Sequence, residues 1–150
     1  MTTDPARIAL SIRQPWVELI FLGRKTIEVR SWTTRHRGPL WLHAGMTRKR
    51  GLLQRFRLDE KQLTFGALVG RCELTDCIAF TPAIWEQWRD RHHNPGPLTG
   101  TLYAWLLENP VRIPPIPMEG KLGLMRVQPE PPNHQECASG TEPCERRIHA

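Results

Sequence analysis

Residues 25 to 30 read Lys-Thr-Ile-Glu-Val-Arg, and this alternation of polar and apolar side chains admits a half-buried strand and little else. Successive side chains on a strand leave opposite faces, so Thr26, Glu28 and Arg30 share one face while Ile27 and Val29 share the other. The apolar pair would anchor the strand in a core, which leaves an acid and a base side by side on the open face. Lys25 follows a turn at Gly23-Arg24, from which its ammonium can swing back over that face. The pattern alone fits an edge strand carrying an ordinary ion pair. It also fits the wall of a functional cleft, so the neighbouring segments must decide.

Upstream, residues 6 to 12 are apolar and β-compatible, a first strand that delivers Arg13 at its end. Pro15 then suits the first turn of a helix, where its missing amide donor is not needed. Trp16, Leu19 and Ile20 recur at helical spacing, and Gly23 stops the helix. The amides at its start, beside Arg13 and Gln14, read as a structural helix start or as an anion site.

Downstream, residues 31 to 38 form a polar loop in which Trp32 is interleaved with Arg35, His36 and Arg37. An aromatic among cations suits base stacking beside phosphate pairing, and it also suits a ring that caps one end of the core. Residues 40 to 44 alternate again, with Leu40, Leu42 and Ala44 on one face and Trp41 and His43 on the other. His43 acquires a functional reading only if its face also bears Glu28. Arg48, Lys49 and Arg50 open an amphipathic helix whose apolar side is Leu52, Leu53 and Phe56.

Residues 66 to 80 read as a long strand, and Thr81-Pro82 as the start of a helix with Ile84, Trp85 and Trp88 inward. A loop spans residues 92 to 100. Residues 101 to 108 then place Leu102, Ala104 and Leu106 opposite Tyr103, Trp105 and Leu107, and the Tyr103 hydroxyl could serve a cleft. Four prolines between residues 110 and 120 argue against central pairing there. Residues 121 to 127 are expected to supply the last strand.

The 150 residues suffice for one domain with a real core. From residue 129 onward Pro, Glu, Gly and Ser prevail, so a domain over residues 1 to 128 and a disordered tail over 129 to 150 are expected. No run approaches the roughly 20 apolar residues of a membrane span, and the first residues lack a secretory pattern, which points to the cytoplasm. Cys72, Cys77, Cys137 and Cys144 lack zinc-ribbon spacing. His92-His93 on a loop reads as solvated, Cys72 as core, and neither a metal nor a cofactor is expected. Residues 1 to 57 carry 12 Lys and Arg against 3 Asp and Glu, net +9, while the remainder carries 9 against 12, net −3. That imbalance suits a phosphate-binding surface, because counterion release drives association with nucleic acid.

Taken in order, Ser11-Ile-Arg-Gln-Pro-Trp16, Lys25 to Arg30, Arg37-Gly-Pro-Leu40 with Leu42-His-Ala44, Phe65-Gly-Ala-Leu-Val-Gly70 and Tyr103-Ala-Trp105 form a series. This series resembles the ASCH domain, a small relative of the PUA RNA-binding domain. The resemblance implies an α+β fold, a small PUA-like β-barrel with short helices packed at its ends. It also implies a cleft holding Lys25, Glu28 and Arg30 that binds RNA or a nucleotide. Some small members are amidohydrolases acting on acetylated cytidine. In them the position matching Lys25 is a catalytic lysine, and the position matching Glu28 is a threonine nucleophile. Glu28 stands there in this chain, so that mechanism does not transfer unchanged.

Two functions follow. In a binding module, Arg13, Lys25 and Arg30 contact phosphate or sugar, Trp32 or Tyr103 stacks, and Glu28 orients the arginines or accepts from a base amino group. Arg35, Arg37, Arg48, Lys49 and Arg50 would widen the cationic surface. In a metal-independent hydrolase acting on a modified nucleoside or as a ribonuclease, Glu28 is the general base, Lys25 stabilises charge or moves a proton, and Tyr103 is a weaker candidate. The sequence offers that hydrolase no nucleophile with its own base, and it leaves the oligomeric state open.

Overall fold

Six strands and four short helices build the domain over residues 5–129, the residues described by the computed structural model. The strands are β1 (Ile8–Gln14), β2 (Ile27–Arg30), β3 (Gly38–Arg48), β4 (Ala67–Ala79), β5 (Tyr103–Pro117) and β6 (Leu124–Arg126). The helices are α1 (Trp16–Phe21), α2 (Arg50–Phe56), α3 (Pro82–Gln87) and α4 (Arg89–His92). One sheet contains all six strands in the order β2-β5-β4-β3-β1-β6. Its centre is antiparallel, β1 joins β3 in parallel, and β6 adds to β1 antiparallel.

Alternation sorts the side chains as the sequence suggests. Leu10, Ile12, Leu40, Leu42 and Ala44 share the main core with Trp105 and Leu107, and α1 covers it with Val17 and Ile20. Ile27 joins Ala104, Phe80 and Trp85 in a second cluster, with Val29, Leu102 and Leu106 against it. Trp105 is fully buried and spans the centre, so Trp105→Ala would cost about 3 to 5 kcal/mol. Thr81 caps α3 by accepting from the Ile84 amide, with Pro82 in the first turn where proline fits.

Two expectations need correction, and a third holds in a particular form. The sheet is not closed into a barrel: β2 pairs only with β5, β6 pairs only with β1, and these edges are four and three residues long. The prolines of residues 110 to 117 do exclude central pairing, as expected, but the strand continues through them at an edge, with Arg112 opposite Gly70 and Ile116 opposite Leu68 on β4. It can because pairing with β2 ends at Leu106, so the later half of β5 is an edge whose open side needs no amide donors. His92 is fully buried rather than solvated, stacked 4.2 Å from Trp85 and donating from Nε2 to the Trp85 carbonyl. Burial lowers its pKa. Cys72 does fill core space, and burial pushes its thiol up to about 12. The expected tail, beyond Pro129, lies outside the described residues.

Candidate functional site

The gap between β2, one end of this curled sheet, and β1, the strand next to its other end, is the site. β2 and β1 are separated by three strands in the sheet order, yet Arg30 Nη2 donates to the Ser11 carbonyl at 2.8 Å. The two strands therefore face each other across a cleft of about 1260 Å³. Its walls come from the polar faces of β1, β2 and β3, and residues 117 to 123 close the far side. Glu28 and Arg30 lie on one wall, Ser11 and Arg13 on the other, with His43 beside Ser11. His43 thus shares the cleft with Glu28, the condition under which its face acquires a functional reading.

Arg30 holds Glu28 in place by donating from Nε to Oε2 at 2.9 Å. On its other side Glu28 Oε1 lies 3.6 Å from Lys25 Nζ. Lys25 does not reach the cleft. It is fully buried, its ammonium donates to the His92 carbonyl at 3.0 Å, and it sits 4.6 Å from the centre of the Trp16 ring. Burial lowers its pKa to about 8, against the opposing pull of Glu28. Trp16 and Glu28 line the cleft in front of it. Thr26 offers no nucleophile either: its hydroxyl accepts from Arg91 Nε and it is not part of the cleft wall.

The remaining candidates divide by position. Arg13 is exposed in the wall, and no hydrogen bond or ion pair to the described residues takes up its charge. Trp32 is half-buried, its ring edge-on to Trp105 at 4.8 Å and another part lining the cleft, so it caps the core and offers a face at once. Tyr103 packs against the main core and is not in the cleft wall. Arg37 points elsewhere, pairing with Asp76 at 3.2 Å, and Arg35 is exposed on the same loop. Met46 and Thr47 carry β3 out of the cleft into Arg48, Lys49 and Arg50, all exposed on the rim side. Arg48 pairs with Glu60 at 3.0 Å and lies over the Phe65 ring. At the start of α1 Gln14 Oε1 accepts from the Glu18 amide at 3.0 Å, so one of the helix's free donors is already taken.

Sequence reasoning missed two contributors. Ser11 stands opposite His43 in the parallel register of β1 and β3, with Oγ 2.9 Å from Nδ1. Residues 118 to 123 supply Lys121 and the exposed Leu122 to the cleft, and the Met118 carbonyl accepts from His43 Nε2 at 2.8 Å. The polar faces of both strands were readable. Their register across a helix and a loop was not.

A curled, open six-stranded sheet with short helices and a polar cleft at its seam defines a PUA-like α+β domain. Residues 10–119 match the ASCH domain, and the chain belongs to that family. Among solved structures, an ASCH protein from Zymomonas mobilis superimposes with a TM-score of 0.55 at 18% identity, covering 93% of this chain and 98% of that one. A variant of it gives 0.54 at 17% identity over 92% and 98% of the two chains. Identity this low speaks for the fold alone. Activating signal cointegrator 1 of Homo sapiens is 36% identical over 86 residues, and that of Mus musculus 37%. Each alignment covers 47% of this chain and 14% of the relative, so the match involves a small part of those longer proteins.

Proposed function

We propose that this domain binds RNA or a nucleotide in the seam cleft, with base and phosphate recognised by different walls. The observation that carries the reading is the meeting of Arg13, whose charge no described residue takes up, and the anchored Arg30 with the Trp32 ring in one cavity of about 1260 Å³. That volume accommodates a nucleotide, and ligand pockets run to roughly 1,000 Å³. Arg13 and Lys121 supply charge for phosphate, Trp32 supplies a stacking face, and Glu28 supplies an acceptor for a base amino group. Glu28 is pre-oriented for that task because Arg30 and Lys25 fix its carboxylate from both sides. Arg48, Lys49 and Arg50 extend the charge beyond the rim, consistent with the net +9 of residues 1 to 57. The ASCH family is associated with RNA binding, which supports the same reading. A cytoplasmic setting completes it, since Cys72 and Cys77 are free thiols.

Binding of a fluorescently labelled single-stranded RNA, followed by anisotropy across a salt series, tests the proposal. Arg13→Gln combined with Trp32→Leu is expected to weaken affinity by at least tenfold, since stacking alone contributes about 1 to 3 kcal/mol per base. Equal affinity of the folded variant would place the ligand elsewhere. The hydrolase that uses Lys25 and Glu28 gains less support, because Lys25 is walled off behind Trp16 and Glu28 is tied to Arg30.

A further inference from the structure

We infer that Ser11 and His43 form a nucleophile and its base, a centre for cleaving carboxylic esters in the floor of the seam cleft. The partners of His43 fix its hydrogen-bonding roles. A carbonyl only accepts, so the contact with the Met118 carbonyl puts the ring proton on Nε2 and leaves the lone pair of Nδ1 facing Ser11 Oγ. Ser11 therefore donates its hydroxyl proton to Nδ1 across 2.9 Å. This is the arrangement that activates a serine: a base within hydrogen-bond reach, itself oriented by a third group. His43 is fully buried, so these two contacts hold the ring, while Ser11 is only half-buried and lines the cleft.

The covering loop is built around this pair. A Cβ at Gly120 would lie 2.7 Å from Ser11 Oγ and 2.8 Å from His43 Cε1, so only glycine lets the backbone lie this close over the two side chains. The same loop carries Met118, the residue that orients His43. Arg30 is bonded to the Ser11 carbonyl and lines the same cavity, so a cation stands in the wall at Ser11. With Arg13 and Lys121 also in the wall, the substrate class is an ester of an anionic compound.

The reaction runs in two halves. Ser11 Oγ bonds to the ester carbonyl carbon as its proton passes to His43 Nδ1. The bond to the alcohol oxygen then breaks, and the departing alcohol takes that proton. Water next attacks the acyl-serine and gives its proton to Nδ1. The carboxylic acid leaves as Ser11 Oγ recovers the proton, and Nε2 keeps its own proton, directed at the Met118 carbonyl, throughout.

A fluorophosphonate probe, which modifies activated serines with loss of fluoride, tests this on the full chain, with the site read by peptide mass spectrometry. Modification at Ser11 is expected in the wild type and is lost in Ser11→Ala. A His43→Gln variant that retains the wild-type circular dichroism should react at least 100-fold more slowly. Absence of modification at Ser11 in the folded wild type would overturn the inference, whatever the variants do. An undiminished rate in folded His43→Gln would overturn it as well. The outcome is separable from RNA binding, because neither probe nor readout depends on a nucleotide.

Discussion

Lys25 Nζ and Glu28 Oε1 are 3.6 Å apart, yet only Glu28 reaches the cleft. The lysine looks exposed in sequence, a cation following a glycine turn, but in the fold it is buried beneath Trp16 and α4 with its ammonium on the His92 carbonyl. Its charge is therefore a fixed part of the wall. It holds one carboxylate oxygen of Glu28 while Arg30 holds the other.

That burial makes stability depend on pH in a definite direction. The folded pKa of Lys25 is about 8 against an ordinary 10.5, so between these values the unfolded chain binds a proton that the native state does not. The contribution of Lys25 to stability then rises with pH through this window, by about 3 kcal/mol between pH 7 and 10.5 for a shift of this size. Urea unfolding of wild type and Lys25→Met at both pH values reads the effect as a difference of differences. A gap between the two proteins that does not move with pH would show that Lys25 is not desolvated.

Glu28→Gln should destabilise the fold, whereas the face pattern alone suggests a harmless change. Removing the carboxylate leaves the Lys25 ammonium buried without its counter-charge, a loss that runs to about 3 kcal/mol or more for buried pairs. Adding Lys25→Met to Glu28→Gln should recover most of that loss, since the orphaned charge is gone. Chemical denaturation of the two single variants and the double variant measures the coupling, and strict additivity would count against a buried pair.

Strand faces were the most legible part of this chain. Ile27 and Val29 against Glu28 and Arg30, and Leu40, Leu42 and Ala44 against Trp41 and His43, follow from alternation because each strand has one side on a core. Register was not legible. Ser11 meets His43 only through parallel pairing of strands joined by more than twenty residues, and no local signal sets that match. The open seam was hidden for a related reason: closure depends on whether the ends of the sheet pair, and the proline-rich half of β5 reads as a barrier until its edge position is known. Tyr103 shows the limit for single residues, since a hydroxyl useful to a cleft in principle packs here against the core.

Arg48, Lys49 and Arg50 should act on affinity and not on choice of sequence. They lie outside the cleft at the exposed end of β3, so replacing all three with Gln should weaken binding to unrelated RNAs about equally. The slope of log affinity against log salt should flatten by roughly 0.7 for each phosphate of a single strand that these side chains no longer neutralise. An unchanged slope would remove this rim from the binding surface.

Cutting the chain after Glu130 should leave the melting temperature where it is, because residues beyond that point contribute little apolar surface. A fall of many degrees would show that the segment packs against the domain.

The most direct measurement of the central claim is photocrosslinking of a 4-thiouridine-substituted single-stranded RNA, with adducts located by peptide mass spectrometry. Binding in the seam predicts adducts on the peptides that carry Trp32, Met46 and Lys121, all in the cleft wall, and their loss when Arg13→Gln and Trp32→Leu are combined. Adducts confined to residues outside the cleft wall, such as the stacked pair Trp41 and Arg71, would contradict it.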